Sequence, residues 1–242
     1  VGQAKYQRTR ISSSAPPETT EKKGINVRQR RIKNLEEKLG SFQSLWTDVP
    51  EEYKGRWREF ILSAPAAPLY VEIGCGKGQF ITRSAEASPD AAFLAFEGHQ
   101  SVALHALQKI AAAELPNVRL VLQYVNDLSD IFNDGEVSGI YLNFSDPWPK
   151  DRHAKRRLTS GNRVAEYGRV LAAGGFLEFR TDNDGLFAYS LEQIQEAPDF
   201  EITTVTHDLH ADVSVEDLIT TEYEDKFSAN DKKINFLRAV RR

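Results

Sequence analysis

A glycine-rich segment beside a carboxylate is one candidate binding site in this sequence. Gly74, Gly76 and Gly78 alternate just after an apolar run that carries Glu72. Glycines in this pattern let the backbone turn sharply and approach a ligand closely. A phosphate-binding G-x-G-x-x-G fingerprint would need glycine where this chain has Gln79, so the loop does not fit a dinucleotide phosphate.

A second carboxylate, Glu97, ends the next predicted strand. An acidic residue at that place can accept hydrogen bonds from both hydroxyls of a ribose. The alternative is a generic glycine-rich turn followed by an unrelated surface glutamate. The loop and the spacing together favour a site for a nucleoside-containing ligand. Cys75 lies between two of the glycines, where a small side chain leaves room for a ligand, and we do not predict it to be a nucleophile.

A third segment joins an acid, an aromatic ring and a row of cations. Asp146 is followed by Pro147-Trp148-Pro149, and the prolines predict a rigid turn. Trp148 offers an apolar face on which a base can stack. The basic run Lys150–Arg157 follows directly and can reach a phosphate backbone. The alternative is a proline-rich turn with a core tryptophan, but the adjoining basic run favours nucleic-acid chemistry.

Short apolar runs alternate with helical patterns from residue 69 onward, which predicts a doubly wound, mostly parallel seven-stranded α/β sheet. Ligands bind such sheets at the carboxyl ends of the strands, where the three segments above are placed. Ser101 and Asp184 are predicted to cap two of the helices, and residues 32–39 are compatible with another. The predicted strands are Leu69–Ile73, Ala92–Glu97, Val118–Leu122, Gly139–Phe144, Gly175–Thr181, Glu201–Val205 and Ile234–Val240.

Composition narrows the class of protein further. The chain has 242 residues, 40% of them hydrophobic and 27% charged, a balance typical of a globular domain. The apolar runs are too short to predict a membrane span, and the single cysteine favours a reducing compartment, the cytoplasm. Nine basic and two acidic residues lie between positions 1 and 33, against a net charge of −4 for the whole chain. We therefore predict a basic, flexible arm over residues 1–25 and a single domain over residues 26–242.

The segment Tyr141–Thr159 closely resembles the hallmark segment of bacterial tRNA (guanine-N7)-methyltransferases. The Glu-x-Gly-x-Gly-x-Gly pattern from Glu72 resembles the first motif of class I S-adenosylmethionine-dependent methyltransferases. Further similar segments are Arg28–Arg31, Phe179–Asn183 and Thr221–Phe227, so the resemblance covers the chain from about residue 28 to residue 239.

The resemblance implies methyl transfer from S-adenosylmethionine to N7 of a guanine in tRNA, in the variable loop, with no metal. It gives the tRNA as partner, with no membrane and no obligate protein partner, and the chain as a monomer or homodimer. The directly counted position for the adenine contact is Tyr124, but the nearest matching side chains are Asn126 and Asp127. The implied cofactor residues are Glu72, Gly74, Gly76, Gly78, Glu97, Asn126, Asp127 and Asp146. The implied substrate residues are Lys150, Arg152, His153, Lys155, Arg156, Arg157, Asp182, Thr221, Glu222, Tyr223 and Glu224.

Guanine N7 keeps a lone pair at neutral pH, so the reaction needs alignment and electrostatics but no general base. Asp146 is the predicted catalytic residue, because a carboxylate there could stabilise the positive charge that moves onto the purine. Asp182 or Glu224 could accept from the N1–H and N2–H₂ edge of guanine. Two alternatives remain: methylation of an exocyclic amine, whose enzymes carry a different proline-aromatic order, and a nucleic-acid-binding module without activity.

Overall fold

The computed structural model describes residues 32–212, 218–227 and 232–242. From Ile32 onward, these residues belong to one compact unit. The predicted basic arm over residues 1–25 and the similar segment Arg28–Arg31 both lie outside the described residues.

The strands of the described residues are β1 Trp46–Thr47, β2 Leu69–Ile73, β3 Ala92–Phe96, β4 Val118–Val121, β5 Val137–Asn143, β6 Leu171–Thr181, β7 Phe200–Thr206 and β8 Asn235–Arg241. They form one sheet in the order β1-β4-β3-β2-β5-β6-β8-β7. All neighbouring pairs from β1 to β6 are parallel, whereas β8 runs antiparallel to both β6 and β7. The chain moves from β2 outward to β4, then returns beside β2 with β5, so the strand order reverses between β2 and β5. A crevice forms at the carboxyl ends of such a pair.

The predicted fold class is confirmed, but the predicted count of seven strands is wrong: the described residues form eight. The additional strand is β1, which pairs Trp46 with Leu120 and Thr47 with Val121. Two residues are too few to show the alternation that identifies a strand in a sequence. The Trp46 indole Nε1 donates to the Leu39 carbonyl at 3.0 Å, a contact with a neighbouring helix that helps to hold this edge strand.

Helices cover both faces of the sheet, as the alternating pattern predicts. The helices are α1 Leu35–Gly40, α2 Trp57–Leu62, α3 Gln79–Ala87, α4 Gln100–Ala112, α5 Leu128–Ile131, α6 Gly161–Val170, α7 Asp184–Gln195, α8 Leu209–Asp212 and α9 Glu222–Phe227. The apolar core on one face includes residues of α2, α5, α6 and α7, and the core on the other includes residues of α1, α3 and α4. Short 3₁₀ helices span Gln43–Leu45, Pro50–Tyr53 and Asp151–Arg156.

The strand β2 shows how one run of residues supplies both cores. Leu69, Val71 and Ile73 belong to one core, and Tyr70 packs against the other. Successive side chains of a strand point to opposite faces, so a strand buried on both faces must be apolar at nearly every position. Glu72 breaks that rule, because it is buried in β2 with a relative exposure of 2%.

Both predicted helix caps are wrong by one or two residues. Helix α4 begins after His99, so Ser101 is the second helical residue and does not cap the end. Helix α7 is capped by Asn183, whose side-chain oxygen accepts from the Leu186 N–H at 2.8 Å, rather than by Asp184. Adjacent residues of similar capping preference cannot be ranked from sequence, because the strand that precedes the helix decides where it starts.

Across the described ranges, no helix combines the length and the apolar character that crossing a membrane requires.

Candidate cofactor and RNA site

The glycine loop after β2 has the backbone conformation that its sequence predicts. Gly74, Gly76 and Gly78 have φ angles of 81°, 58° and 79°, which L residues with side chains rarely adopt. A Cβ added at Gly74 or Gly76 would meet nothing within 4 Å, so these positions border open space. A Cβ at Gly78 would lie 2.5 Å from the Ala106 Cβ, so this glycine allows α3 to pack closely on α4.

Glu72 lies just before this loop and is almost fully buried. Its Oε1 accepts from the Asn143 side-chain amide at 2.9 Å. Burial raises the pKa of the Glu72 carboxyl from 4.5 to about 7, although the Asn143 bond opposes the rise. Within the described part of the chain, Glu72 Oε2 and Asn143 Oδ1 are buried without a hydrogen-bond partner. A polar or cationic ligand group would satisfy both atoms.

Glu97 organises the other wall of the loop. Its Oε2 accepts from the Gly76 N–H at 3.0 Å, and its Oε1 accepts from the His99 N–H at 2.8 Å. The carboxylate is therefore fixed between the glycine loop and the start of α4. Each carboxylate oxygen has two lone pairs, so both oxygens can still accept from a ligand hydroxyl.

A cavity of about 650 Å³ opens at the carboxyl ends of β2, β3 and β5. This volume lies in the range of small-molecule sites. The cavity is lined by residues around the glycine loop, by the turn after β5 and, at its rim, by the basic run. The lining residues are Ile73, Gly74, Phe96, Glu97, Gly98, His99, Gln123, Tyr124, Val125, Asn143, Phe144, Ser145, Asp146, Trp148, Lys155, Arg156, Leu158 and Arg163.

The structure does not bring Asn126 and Asp127 to this cavity. Asp127 instead caps α5, because its side chain accepts from the Ser129 N–H at 2.8 Å. The Asn126 carbonyl accepts from Arg163, which also binds the Val125 carbonyl and turns this segment toward α6. The position after β4 that does line the cavity is Tyr124.

Tyr124 is held at the cavity by its neighbours, although it is 61% exposed. Its hydroxyl lies 2.9 Å from His99 Nε2, and the two rings meet edge to face with centroids 5.6 Å apart. A Cβ on Gly98 would lie 2.5 Å from the tyrosine ring, so the glycine makes room for it. Partial burial, reinforced by Glu97 and Asp146, raises the pKa of the Tyr124 hydroxyl above its ordinary value.

Asp146 lines the cavity on the turn that follows β5, as predicted. The turn is strained: Phe144 and Trp148 have φ angles of 53° and 40°, uncommon for residues other than glycine. The Phe144 N–H donates to the Arg180 carbonyl of β6 at 2.9 Å, so the start of the turn is tied to the sheet. Strained backbone of this kind persists only where the surroundings hold it, and it is common at functional sites.

The basic run forms a 3₁₀ helix, and its residues face different surroundings. Lys155 and Arg156 line the cavity rim, and the Arg156 guanidinium lies 4.9 Å from the centroid of the Trp148 ring. Lys150 and Arg152 are exposed, and the half-buried His153 meets Trp148 edge to face at 5.7 Å. Arg157 is half-buried and donates to backbone carbonyls of the Asp146 turn.

Thr221 and Glu224 are buried and do not line the cavity. They form a capping box at the start of α9: the Thr221 N–H donates to Glu224 Oε2 at 2.8 Å, and the Glu224 N–H donates to Thr221 Oγ1 at 3.1 Å. Glu224 Oε2 also lies 3.6 Å from the buried Arg180 guanidinium. Both side chains therefore have a structural role at the start of α9, and the substrate contact implied for them stays a prediction.

Glu222 and Tyr223 contact different parts of the fold. Glu222 accepts from the Gln79 N–H at the start of α3 at 3.1 Å and pairs with Lys109 of α4. The Tyr223 hydroxyl donates to Asp182 Oδ2 at 2.9 Å, and Lys232 also pairs with Asp182. Helix α9 therefore connects the glycine loop with the end of β6.

Sequence reasoning missed Asn143 and His99. Asn143 falls in a predicted strand and His99 falls outside the predicted elements; an amide or an imidazole gives no signal until its partner is placed beside it. Their partners, Glu72 of β2 and Tyr124 of the loop after β4, are distant in the sequence and could not be identified from spacing. In residues 32–212, 218–227 and 232–242, no group of three or more His, Cys, Asp and Glu side chains is arranged to hold a metal ion.

Comparison with other sequences identifies relatives over most of the chain. A family model described as "Putative methyltransferase" matches residues 66–237. The tRNA (guanine-N(7)-)-methyltransferase of Geobacillus kaustophilus is 45% identical over 214 residues, which are 87% of this chain and 97% of that protein. The protein of the same name from Listeria innocua is 44% identical over 203 residues, 84% of this chain and 93% of that protein.

Solved structures share the fold at much lower identity. The 16S rRNA methyltransferase KamB superposes with a TM-score of 0.56 and 13% identity, covering 76% of this chain and 91% of that chain. TrmN from Thermus thermophilus gives a TM-score of 0.52 and 15% identity, covering 74% of this chain and 46% of that chain.

The fold and the site define a class I S-adenosylmethionine-dependent methyltransferase. The reversal of strand order, the glycine loop and the acids at the ends of β2 and β3 are its elements. The chain belongs to the tRNA (guanine-N7)-methyltransferase family, because relatives of that name match more than four fifths of its length. The family, fold and cofactor predicted from the sequence are confirmed.

Burial of Glu72 generates a pH-dependent stability prediction. The folded state holds a proton on Glu72 more tightly than the unfolded state, since its pKa rises from 4.5 to about 7. The ligand-free protein should therefore lose stability, by about 3 kcal/mol in total, as the pH rises across that interval. Glu72→Gln should melt at a higher temperature than the parent protein at pH 8, with the difference vanishing toward pH 4.5. Thermal denaturation at both pH values checks this, and equal melting temperatures at pH 8 would contradict it.

The capping box and the buried ion pair predict a structural role for Glu224. Glu224→Ala should lower the free energy of unfolding by about 3–5 kcal/mol, because it leaves the Arg180 guanidinium buried without this partner. Glu192→Ala, at an exposed glutamate of α7, serves as a matched control and should change it by no more than about 0.5 kcal/mol. Urea denaturation of both variants measures the difference. A Glu224→Ala protein with unchanged stability and weaker tRNA binding would support the substrate contact instead.

Proposed function

We propose that the protein transfers a methyl group from S-adenosylmethionine to N7 of a guanine in tRNA, at the cavity formed by β2, β3 and β5. One observation carries the proposal: Gly74 and Glu97 on the cofactor side, Asp146, and Lys155 and Arg156 of the cationic rim all line a single cavity. A base presented from the rim would therefore meet the donor beside Asp146. The names of the relatives supply the substrate class, tRNA, and the atom, guanine N7.

The residues of the glycine loop fit the cofactor. Glu72 Oε2 and Asn143 Oδ1 offer buried acceptors for an ammonium group, and the open space beside Gly74 and Gly76 accepts a ligand at the backbone. Glu97 is placed to accept from ribose hydroxyls. When bound, S-adenosylmethionine supplies an activated methyl group on a sulfonium, and the remaining residues serve to orient it and the base.

We assign the adenine side of the cavity to Tyr124 in place of Asn126 and Asp127. Tyr124 lies beside Glu97, next to where the ribose is expected, and its ring offers an apolar wall. The His99 contact and the close fit on Gly98 hold the ring in that place. Asp127 contributes through its cap on α5, which fixes the segment after β4.

The chemistry asks the protein for alignment and for charge stabilisation. The N7 lone pair attacks directly, so no group must remove a proton before transfer. Positive charge moves onto the purine as the methyl group is transferred, and the Asp146 carboxylate at the cavity is the acid placed to stabilise it. Rigid prolines on both sides of Trp148 limit how far this carboxylate can move.

The cationic rim is complementary in charge to a tRNA backbone. The end of β6 carries an acceptor for the edge of the base. Lys150, Arg152, His153, Lys155 and Arg156 form the surface proposed to contact phosphates. Asp182 is proposed to accept from the guanine N1–H and N2–H₂ groups. Tyr223 and Lys232 contact the same carboxylate and hold it in place. Glu222, through Gln79, joins this substrate side to the glycine loop.

We place the reaction in the cytoplasm, as the single cysteine indicates. The monomer or homodimer without an obligate protein partner stays a prediction, as does the flexible arm over residues 1–25. A single methyltransferase domain over residues 26–242 is the proposed organisation.

Incubation of the protein with labelled S-adenosylmethionine and unmodified tRNA tests the function. The expected product after nuclease digestion is 7-methylguanosine, identified by mass spectrometry. A methyl group on an exocyclic amine would establish the alternative reaction. Cofactor binding by calorimetry without any methylated nucleoside would favour a binding module.

The role of Tyr124 predicts a measurable loss of cofactor affinity. Tyr124→Ala should weaken binding of S-adenosylhomocysteine by about 5- to 100-fold, the effect of removing an aromatic ring stacked on a base. Tyr124→Phe keeps the ring and should lose less. Calorimetry without tRNA provides the measurement, with Asn126→Ala as the competing variant. A loss in Asn126→Ala with none in Tyr124→Ala would restore the assignment implied by the resemblance.

A further inference from the structure

Arg157 belongs to the basic run by sequence but differs from its neighbours in its contacts. Its Nε donates to the Pro147 carbonyl at 3.2 Å, and a terminal nitrogen donates to the Trp148 carbonyl at 3.1 Å. Arg156 and Arg152, by contrast, are exposed. The guanidinium of Arg157 is therefore directed into the protein and onto the turn that carries Asp146.

The other side of the guanidinium lies on helix α7. Its carbon is 4.3 Å from the centroid of the Tyr189 ring, a cation–π distance. Tyr189 is half-buried and packs against the large core of the sheet. Arg157 thus connects the strained turn to a rigid element of the fold.

The turn needs such a donor for two reasons. Pro147 and Pro149 have no N–H groups, so neither residue can donate a backbone hydrogen bond to a carbonyl of the turn. The positive φ angles of Phe144 and Trp148 store strain that external contacts must hold. A guanidinium presents several donors in a fixed planar fork, which suits two neighbouring carbonyls.

We propose that Arg157 is a positioning residue for methyl transfer: it fixes the Asp146 turn against Tyr189 and does not contact tRNA phosphates. The proposal rests on the role of Asp146 in the proposed function. It reverses the assignment of Arg157 that the basic run alone suggests. The remaining cations of the run, which are exposed or line the cavity rim, keep the phosphate role.

The two roles predict opposite kinetic signatures. If Arg157 positions Asp146, Arg157→Ala should lower the single-turnover methylation rate by about 10- to 100-fold, because small displacements of a catalytic group are costly. Its tRNA Kd should stay within about twofold, and the salt dependence of that Kd should not change. Arg157→Lys keeps the charge but not the fork, so it should remain nearly as slow as Arg157→Ala.

The experiment compares these variants with two others. Arg152→Ala should raise the tRNA Kd and reduce its salt slope by about one charge, the signature of a phosphate contact. Tyr189→Leu leaves the charge of the run intact and should slow methylation with no change in the salt slope. Thermal melts of each variant identify any that fail to fold, and Tyr189→Leu and Arg157→Lys then carry the test.

A weaker tRNA Kd, a reduced salt slope and a normal saturated rate in Arg157→Ala would overturn the proposal. Full activity of Arg157→Lys would overturn it as well, since charge alone would then suffice. Failure of the parent protein itself to form 7-methylguanosine would instead refute the proposed function, and this control is measured first.

Discussion

The hydrogen bond between Asn143 and Glu72 connects the strand before the glycine loop with the strand before the Asp146 turn. Glu72 immediately precedes the glycine loop, and Asn143 ends β5 just before the Asp146 turn. The bond therefore joins the proposed donor side of the site to the proposed base side. Glu72 Oε2 and Asn143 Oδ1 are left buried without a second contact, and burial raises the pKa of the Glu72 carboxyl to about 7. The buried carboxyl lowers the stability of the ligand-free protein, but it provides a hydrogen-bond acceptor that is already in place.

The segment after β5 contains both residues that hold its turn in place and cations that face outward. Two prolines, a strained tryptophan and an inward arginine make the turn rigid, whereas the neighbouring cations remain exposed or line the cavity rim. A rigid turn suits a reaction in which no proton is removed and alignment supplies most of the rate. Mobile exposed cations suit a partner recognised through its phosphate backbone. One short stretch of chain thus combines precise geometry with diffuse electrostatic attraction.

Helix α9 lies late in the sequence and contacts both the start of α3 and the end of β6. Its capping box and the Arg180–Glu224 pair anchor it beside β6, while Glu222 reaches the start of α3. The helix has six residues, too few to be stable alone, so these tertiary contacts must hold it. Residues that a family pattern marks together therefore have separate tasks: some hold the helix, and Tyr223 faces Asp182.

Local sequence pattern is enough to predict the parallel sheet, the glycine loop, the proline turn and the charge of the segment after it. Periodicity, glycine and proline act within a few residues, so they can be read without the fold. Which polar side chains reach the cavity depends instead on contacts between distant parts of the chain. Asp127, Thr221 and Glu224 satisfy backbone groups at helix ends, and Arg157 satisfies the turn against Tyr189, a residue of another helix. A polar side chain goes where its donors or acceptors find partners, and those partners lie far away in the sequence.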